Sequence, residues 1–230
     1  MLLEESKWVG DTIIENIESK DLVLNLGSSS LFARTELQPH MEKYIFHPLM
    51  SKGINVIHSD IKNDTGVDLI GDITDPVFIE KLSSLNFKMV LCCNLLEHLE
   101  DCSIILDSLN EIIPLNGLLL VTVPYQYPFH LDPIDTMFRP SVDELTQLFP
   151  NLDLVIGEVI IAQRQVLKNG QLIYHKNYFE QMKDDPKLLI FNVVRILMPF
   201  YKFKVWQILF NDLRAMFRPY SATCVLLKKR

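Results

Sequence analysis

Leu22-Val23-Leu24-Asn25-Leu26-Gly27-Ser28-Ser29-Ser30 is the stretch on which the fold turns. Its first five residues are almost all apolar, without the alternation of a half-exposed strand, and they stop at a glycine followed by three serines. Such a run is a strand buried on both faces, and the small residues after it mark a turn where backbone approaches something closely. The same pattern recurs downstream. Residues 54–57 and 67–70 are short β-branched runs closed by Asp60 and Asp72, residues 89–93 pass into Asn94, and residues 118–123 stop at Pro124. Upstream, Val9, Ile13 and Ile17 recur every four residues, which predicts an amphipathic helix over 4–19. Residues 76–85 and 102–113 have helical spacing too. Strands alternating with helices predict an α/β three-layer sandwich with a mostly parallel sheet. Pro140 opens a further helix, with Ser141 and Glu144 spaced as a capping box. Residues 154–162 and 222–227 read as two last strands, separated by a stretch of mostly helical pattern.

The chain has 230 residues, 48% of them hydrophobic and 22% charged, which suits one folded domain spanning 1–230 and excludes a disordered or collagenous chain. Four cysteines, two of them adjacent (Cys92, Cys93), make neither a disulfide framework nor a zinc pair. Glutamates near the N-terminus argue against a secretory leader. No run reaches the roughly 18–20 apolar residues of a membrane span. A reduced, cytoplasmic protein is expected. The net charge of −7 is uneven: nine Lys or Arg against Asp212 alone follow residue 186, while the rest of the chain is strongly acidic. That balance argues against a nucleic-acid partner. Phe200, Tyr201, Phe203, Trp206, Phe210 and Phe217 lie among those bases, so residues 187–220 are expected to form a basic, aromatic part of a helical insert at about 163–220 that meets a membrane surface peripherally or a protein partner, the alternative being that its apolar stripe covers the sheet or a dimer seam.

Parallel α/β sheets bind ligands beyond the carboxyl ends of their strands. There Gly27 permits close backbone approach, serines offer hydroxyls and amides, and Asp60 and Asp72 can accept from ribose hydroxyls or an exocyclic amine. Asp60 follows Gly27 by thirty-three residues, whereas a nicotinamide fingerprint places its acid about twenty beyond its glycines. Here the sequence resembles the class I methyltransferases that use S-adenosyl-L-methionine. VLNLGSSS is similar to their glycine loop, IHSD to the acidic end of their second strand, Gly71-Asp72-Ile73 to their adenine element, and VLCCNLLEHLED to their fourth strand and the LEHL turn after it. The resemblance covers about residues 20–150. It implies cofactor contacts from Asn25, Gly27, Ser28, Asp60, Asp72, Ile73 and Asn94. Two departures stand out. Asn25 replaces the usual acid and can accept from the cofactor ammonium only through its carbonyl, and Ser29 replaces the second glycine, harmlessly if its φ is negative.

His130, Asp132, Asp135 and Arg139 form a polar cluster past the fifth strand, expected over the transferable methyl. His130 or His98 is the candidate base for an acceptor that must lose a proton, since imidazole titrates near neutrality. Asn94 is a weak ligand beside Glu97 and His98, so the sequence assigns no metal. The segment 121–145 resembles members from glycan and surface-polysaccharide settings, which implies a small-molecule or glycan acceptor. The competing expectation is a catalytically degenerate member of the fold that serves as a binding or membrane-associated module.

Overall fold

The structure is a computed structural model that describes residues 1–130, 134–168, 171–185, 187, 188, 190 and 217–230. Its centre is a seven-stranded sheet: β1 (Leu22–Leu26), β2 (Asn55–Asp60), β3 (Leu69–Ile70), β4 (Met89–Cys93), β5 (Leu118–Gln126), β6 (Leu152–Ala162) and the C-terminal strand Tyr220–Lys229. A separate hairpin supplies β7 (Arg164–Lys168) and β8 (Gln171–His175), so the C-terminal strand is β9. The sheet order is β3-β2-β1-β4-β5-β9-β6, with the first five strands parallel and β9 antiparallel to both neighbours. The order reverses between β1 and β4, which opens a crevice at the carboxyl ends of those strands.

Apolar runs in β1, β4 and β5 are buried on both faces because helices cover both. On one face α1 (Leu3–Asn16) packs Val9 and Ile13, with Ile17 just after it, against Val23, Met89, Leu91 and Leu120, together with Ile45 and Leu49 from the helical stretch that follows β1. That stretch runs as Ala33–Leu37, Pro39–Met41, Glu42–Phe46 and His47–Ser51. Gly10 permits the contact: a Cβ there would sit 1.9 Å from the Tyr44 carbonyl oxygen. On the other face the helices Pro76–Ser84, Ser103–Ile112 and Val142–Gln147 contribute Phe78, Leu82, Leu109, Ile112 and Leu145 to the larger core. Three layers result, as the sequence predicts. The capping box also forms: Ser141 Oγ accepts from the Glu144 amide, and Glu144 accepts from the Ser141 amide.

Two expectations need correction. Pro124 does not end β5, which continues to Gln126. Proline suits extended φ, and the register with β9 shifts between Pro124 and Gln126, a bulge where a missing N–H costs little. The expected helical insert at 163–220 begins as the hairpin β7–β8, in which Lys168 pairs with Gln171. Asn-Gly between apolar runs is a hairpin signal that outweighs the weak helical spacing there. The helix Tyr178–Asp184 follows, capped by Asn177 Oδ1 accepting from the Glu180 amide. The basic aromatic stretch assigned to a membrane surface lies, from 191 to 216, outside the described residues. Among the described residues no helix is long and apolar enough to cross a membrane.

Candidate functional site

Two groups of side chains meet at the carboxyl ends of the parallel strands. The first is built on the loop after β1. Gly27 has φ +66° and Ser29 has φ +55°, so Ser29 occupies the left-handed region and the condition of a negative φ is not met. The cause is visible in its backbone bonds. The Ser29 amide donates to Asp60 Oδ2 at 2.7 Å, and its carbonyl accepts from Arg34 at 2.7 Å. Left-handed backbone costs a non-glycine residue roughly 1–2 kcal/mol, and these contacts hold it there. Arg34, 2% exposed, also donates to the carbonyls of Ser28 (2.9 Å) and Gly66 (2.7 Å). The Ser28 amide reaches the Ser59 carbonyl at 3.0 Å, which ties the loop to the end of β2. The Leu95 side chain floors the loop, since a Cβ on Gly27 would come within 3.0 Å of it.

Asp60 closes β2 beside this loop. Its Oδ1 accepts from the Lys62 amide and its Oδ2 from Ser29, one donor per oxygen, so a lone pair on each remains for a ligand. Asp72, on the adjacent β3 end, is exposed and accepts from both the amide and the hydroxyl of Thr74. Ile73 is half-buried beside it, packed on the core. Gly71 is required where it stands, because a Cβ would collide with the Phe78 ring at 2.4 Å. Asn25, 6% exposed, puts Nδ2 3.0 Å from His58 Nδ1 in the facing strand. Burial, and then the Arg34 charge, lower the His58 pKa to about 4. His58 is therefore neutral at pH 7, Nδ1 is the acceptor and Asn25 the donor. That leaves Asn25 Oδ1 without a hydrogen-bond donor among the described residues.

Asn94 goes elsewhere. Its φ is +49°, its amide donates to the Thr122 carbonyl at 2.8 Å, and its side chain points inward to Glu5 Oε1 at 2.6 Å. Glu5 comes from α1, is fully buried, and also accepts from the Thr122 hydroxyl (2.6 Å) and the Leu2 amide (2.7 Å). The Asn94 side chain is thus spent on locking α1 across the ends of β4 and β5. Cys93, next to it, is packing: burial, then the Glu5 charge, push its thiol up to about 12.

The second group lies past β4 and β5. The turn Leu96–His98 follows Asn94, with Glu97 1% exposed. Burial pushes the Glu97 carboxyl up to about 8, and its Oε2 has no hydrogen-bond partner. The loop after β5 is pinned onto this turn, because the Thr136 amide (2.9 Å) and hydroxyl (3.0 Å) both donate to the Glu97 carbonyl, and His98 Nδ1 meets the Ile134 carbonyl. The pinning brings His130 to His98, ring centroids 5.4 Å apart and nearly perpendicular. His130 Nδ1 lies 3.0 Å from Asp135 Oδ2, which also accepts from the His130 amide (3.0 Å) and from Arg139 (2.7 Å). Burial pulls the Asp135 carboxyl up, but His130 and Arg139 together outweigh it and hold the group well below the usual carboxylate range. Asp132 lies outside the described residues.

Of the sequence-assigned residues, the structure brings Asn25, Gly27, Ser28 and Asp60 together, sets Asp72 and Ile73 on the neighbouring strand end, and joins His98 to His130. It turns the Asn94 side chain away. Arg34, Glu5 and Thr122 were not singled out from sequence, and no short-range spacing marks them.

No family model and no curated protein matches the sequence. Solved structures do. The MccD protein is 16% identical over 97% of this chain and 96% of that one, with a TM-score of 0.54. A SAM dependent methyltransferase from Archaeoglobus fulgidus is 13% identical over 99% and 94%, with a TM-score of 0.53. Coclaurine N-methyltransferase bound to N-methylheliamine and SAH is 17% identical over 98% and 71%, with a TM-score of 0.52. The chain has the class I, Rossmann-like fold of SAM-dependent methyltransferases.

Proposed function

We propose that the protein transfers a methyl group from S-adenosyl-L-methionine to a small-molecule acceptor, a glycan or surface-polysaccharide precursor being the class the sequence resemblance favours. The observation that carries this reading is the bond between the Ser29 amide and Asp60, which knits the loop after β1 to the acid ending β2 at the point where strand order reverses. The residues present fit the cofactor. Asn25 Oδ1 is an unpaired acceptor suited to an ammonium, the left-handed loop presents backbone to a ligand, and each Asp60 oxygen keeps a lone pair for a ribose hydroxyl. Asp72 and Ile73 stand one strand further along, where a base extending from that ribose would meet one acceptor and one apolar surface.

The bound cofactor supplies an electrophilic methyl carbon, and what the chain adds is alignment and proton handling. His98 and His130 are 18% and 27% exposed with their rings 5.4 Å apart, and this pair is the acceptor end of the site on our reading. With Nδ1 of His130 directed at the Asp135 carboxylate, Nε2 is the nitrogen left to meet an acceptor proton.

Titration calorimetry with S-adenosyl-L-methionine tests the reading. Binding is expected, and Asp60→Ala should weaken it at least tenfold, since a hydrogen bond to a charged acceptor is worth about 1.5–3 kcal/mol. Asp72→Ala should weaken it less, because Ile73 remains. No binding to the wild-type protein would overturn the assignment and leave a fold that serves some other ligand.

A further inference from the structure

Glu97, His98 and His130 each offer a ligand atom, and these atoms lie within 4.8 Å of one another. They come from two loops. The Ile134 carbonyl can only accept, so its contact with His98 Nδ1 fixes the proton on Nδ1 and leaves the Nε2 lone pair free, 3.8 Å from Glu97 Oε1. In His130, Nδ1 stands 3.0 Å from Asp135 Oδ2 without the geometry of a hydrogen bond, and Nε2 is the nitrogen on the far side of the ring. The tie of the far His98 nitrogen to a carbonyl is the outer-shell arrangement of metal-bound histidines. The third member is the Glu97 carboxyl, 1% exposed, whose Oε2 is buried without any hydrogen-bond partner and whose proton, held by burial, leaves as a cation binds. A buried oxygen left so is costly unless something answers it. The two histidines keep the opposite side of the cluster partly open.

We propose that Glu97, His98 and His130 bind one divalent first-row transition cation of the zinc, cobalt or manganese class. Two imidazoles with one carboxylate select this class over magnesium and calcium, which take oxygen ligands. Two ligand atoms about 2.0–2.1 Å from a tetrahedrally coordinated ion stand roughly 3.3 Å apart, so the three side chains draw together by about 1 Å or more from their widest separation. Three protein ligands leave a fourth position for a water or an acceptor atom. His130 Nε2 has a single lone pair and cannot hold a cation and a proton at once. On the methyltransferase reading above, an acceptor oxygen or a water in that fourth position loses its proton through the cation's charge, and His130 serves as ligand in place of base. The binding itself does not depend on that reading.

The test is calorimetric titration of chelator-stripped full-length protein with Zn²⁺ alone, repeated with Co²⁺ so that the visible absorption of the bound ion reports its ligands. One cation per chain, with a low-symmetry Co²⁺ spectrum, is expected. His98→Ala and His130→Ala should each weaken binding at least tenfold, whereas His175→Gln, at the other histidine–aspartate pair, should leave it unchanged. Circular dichroism of each variant separates loss of ligand from loss of fold, and Glu97→Gln adds a near-isosteric third substitution. No saturable uptake, or uptake that survives in folded His98→Ala and His130→Ala, overturns the proposal. Because S-adenosyl-L-methionine is absent from these titrations, cation binding without cofactor binding leaves the site standing while the methyltransferase reading fails, and the reverse result does the opposite.

Discussion

Arg34→Ala should damage the loop after β1 more than any substitution within the loop itself. The guanidinium is 2% exposed and donates to three backbone carbonyls, those of Ser28, Ser29 and Gly66, at 2.7–2.9 Å. Hydrogen bonds from a charged donor contribute about 1.5–3 kcal/mol each, so the gross loss is several kcal/mol. Two corrections reduce it. Burial lowers the Arg34 pKa, with Asp68, Glu42 and Asp60 only partly opposing, so the folded chain bears a desolvation cost that alanine removes. Ser29 and Gly66 are half-exposed, and water can reach their carbonyls, which leaves Ser28 as the acceptor stranded in the interior. The net destabilisation is then about 2–4 kcal/mol. Arg34→Lys should recover less than half of this, because one ammonium cannot span the carbonyls that the planar fork reaches together. Urea unfolding measures the stability, and calorimetry with S-adenosyl-L-methionine measures the consequence for the site, where at least a tenfold rise in Kd is expected from a loosened Gly27–Ser29 turn. If Arg34→Ala unfolds within about 0.5 kcal/mol of wild type, the level of an ordinary surface substitution, the clamp is not what holds the loop.

Two further outcomes follow from the packing and the charges. Gly10→Ala, which in an exposed helix would stabilise by about 1 kcal/mol, should here destabilise by about 1–3 kcal/mol or more, because the new methyl meets the Tyr44 carbonyl at 1.9 Å; a raised midpoint in urea would show that α1 and the following helical stretch are not in that contact. His58 is lowered from 6.5 to about 4 in the fold, so as pH falls through 6.5 the unfolded chain gains a proton that the folded chain refuses. Its contribution of about 3 kcal/mol is present above pH 6.5 and lost progressively down to pH 4. His58→Gln keeps an acceptor for Asn25 and does not titrate, so the stability difference from wild type should be flat above pH 7 and shift steadily between 6.5 and 4; a difference that stays flat throughout refutes the assignment.

The sequence made the strands legible because a strand buried on both faces leaves a continuous apolar run, and β1 and β4 carry no other residue type except Asn25. The stretch 33–51 was not legible for a comparable reason. It holds Pro39 and Pro48, and two of its turns, Ala33–Leu37 and Glu42–Phe46, are wider than an α-helix, so its apolar residues do not recur at 3.6. At the site, the residues found from sequence are those that end strands: Gly27, Asp60 and Asp72 are marked by an apolar run stopping beside them. Arg34 and Glu5 carry no such mark. Glu5 meets Thr122 across 117 residues, and only the crossing of α1 over the strand ends makes its carboxylate part of the site.

Asn94 shows why a strand-end position predicts proximity better than role. It stands where the resemblance puts a cofactor contact, yet a left-handed backbone and a buried carboxylate 2.6 Å away turn its amide inward. The same inward turn fixes the direction in which the chain leaves β4, and therefore where Glu97 and His98 fall. From there the loop after β5 does the rest: Thr136 fastens it to the Glu97 carbonyl, Asp135 takes the His130 amide, and Met137 accepts a φ of +62° so that its own amide can reach Asp135 Oδ1 at 2.8 Å. Backbone bonds around Asp135 and Glu97, and not the imidazoles themselves, set the distance between His98 and His130. A strained residue, a buried carboxylate and an unanswered Glu97 oxygen within one small loop cluster are costs that packing alone does not require. Their coincidence falls at the end of β4 and β5, one strand away from the loop that the glycine advertises.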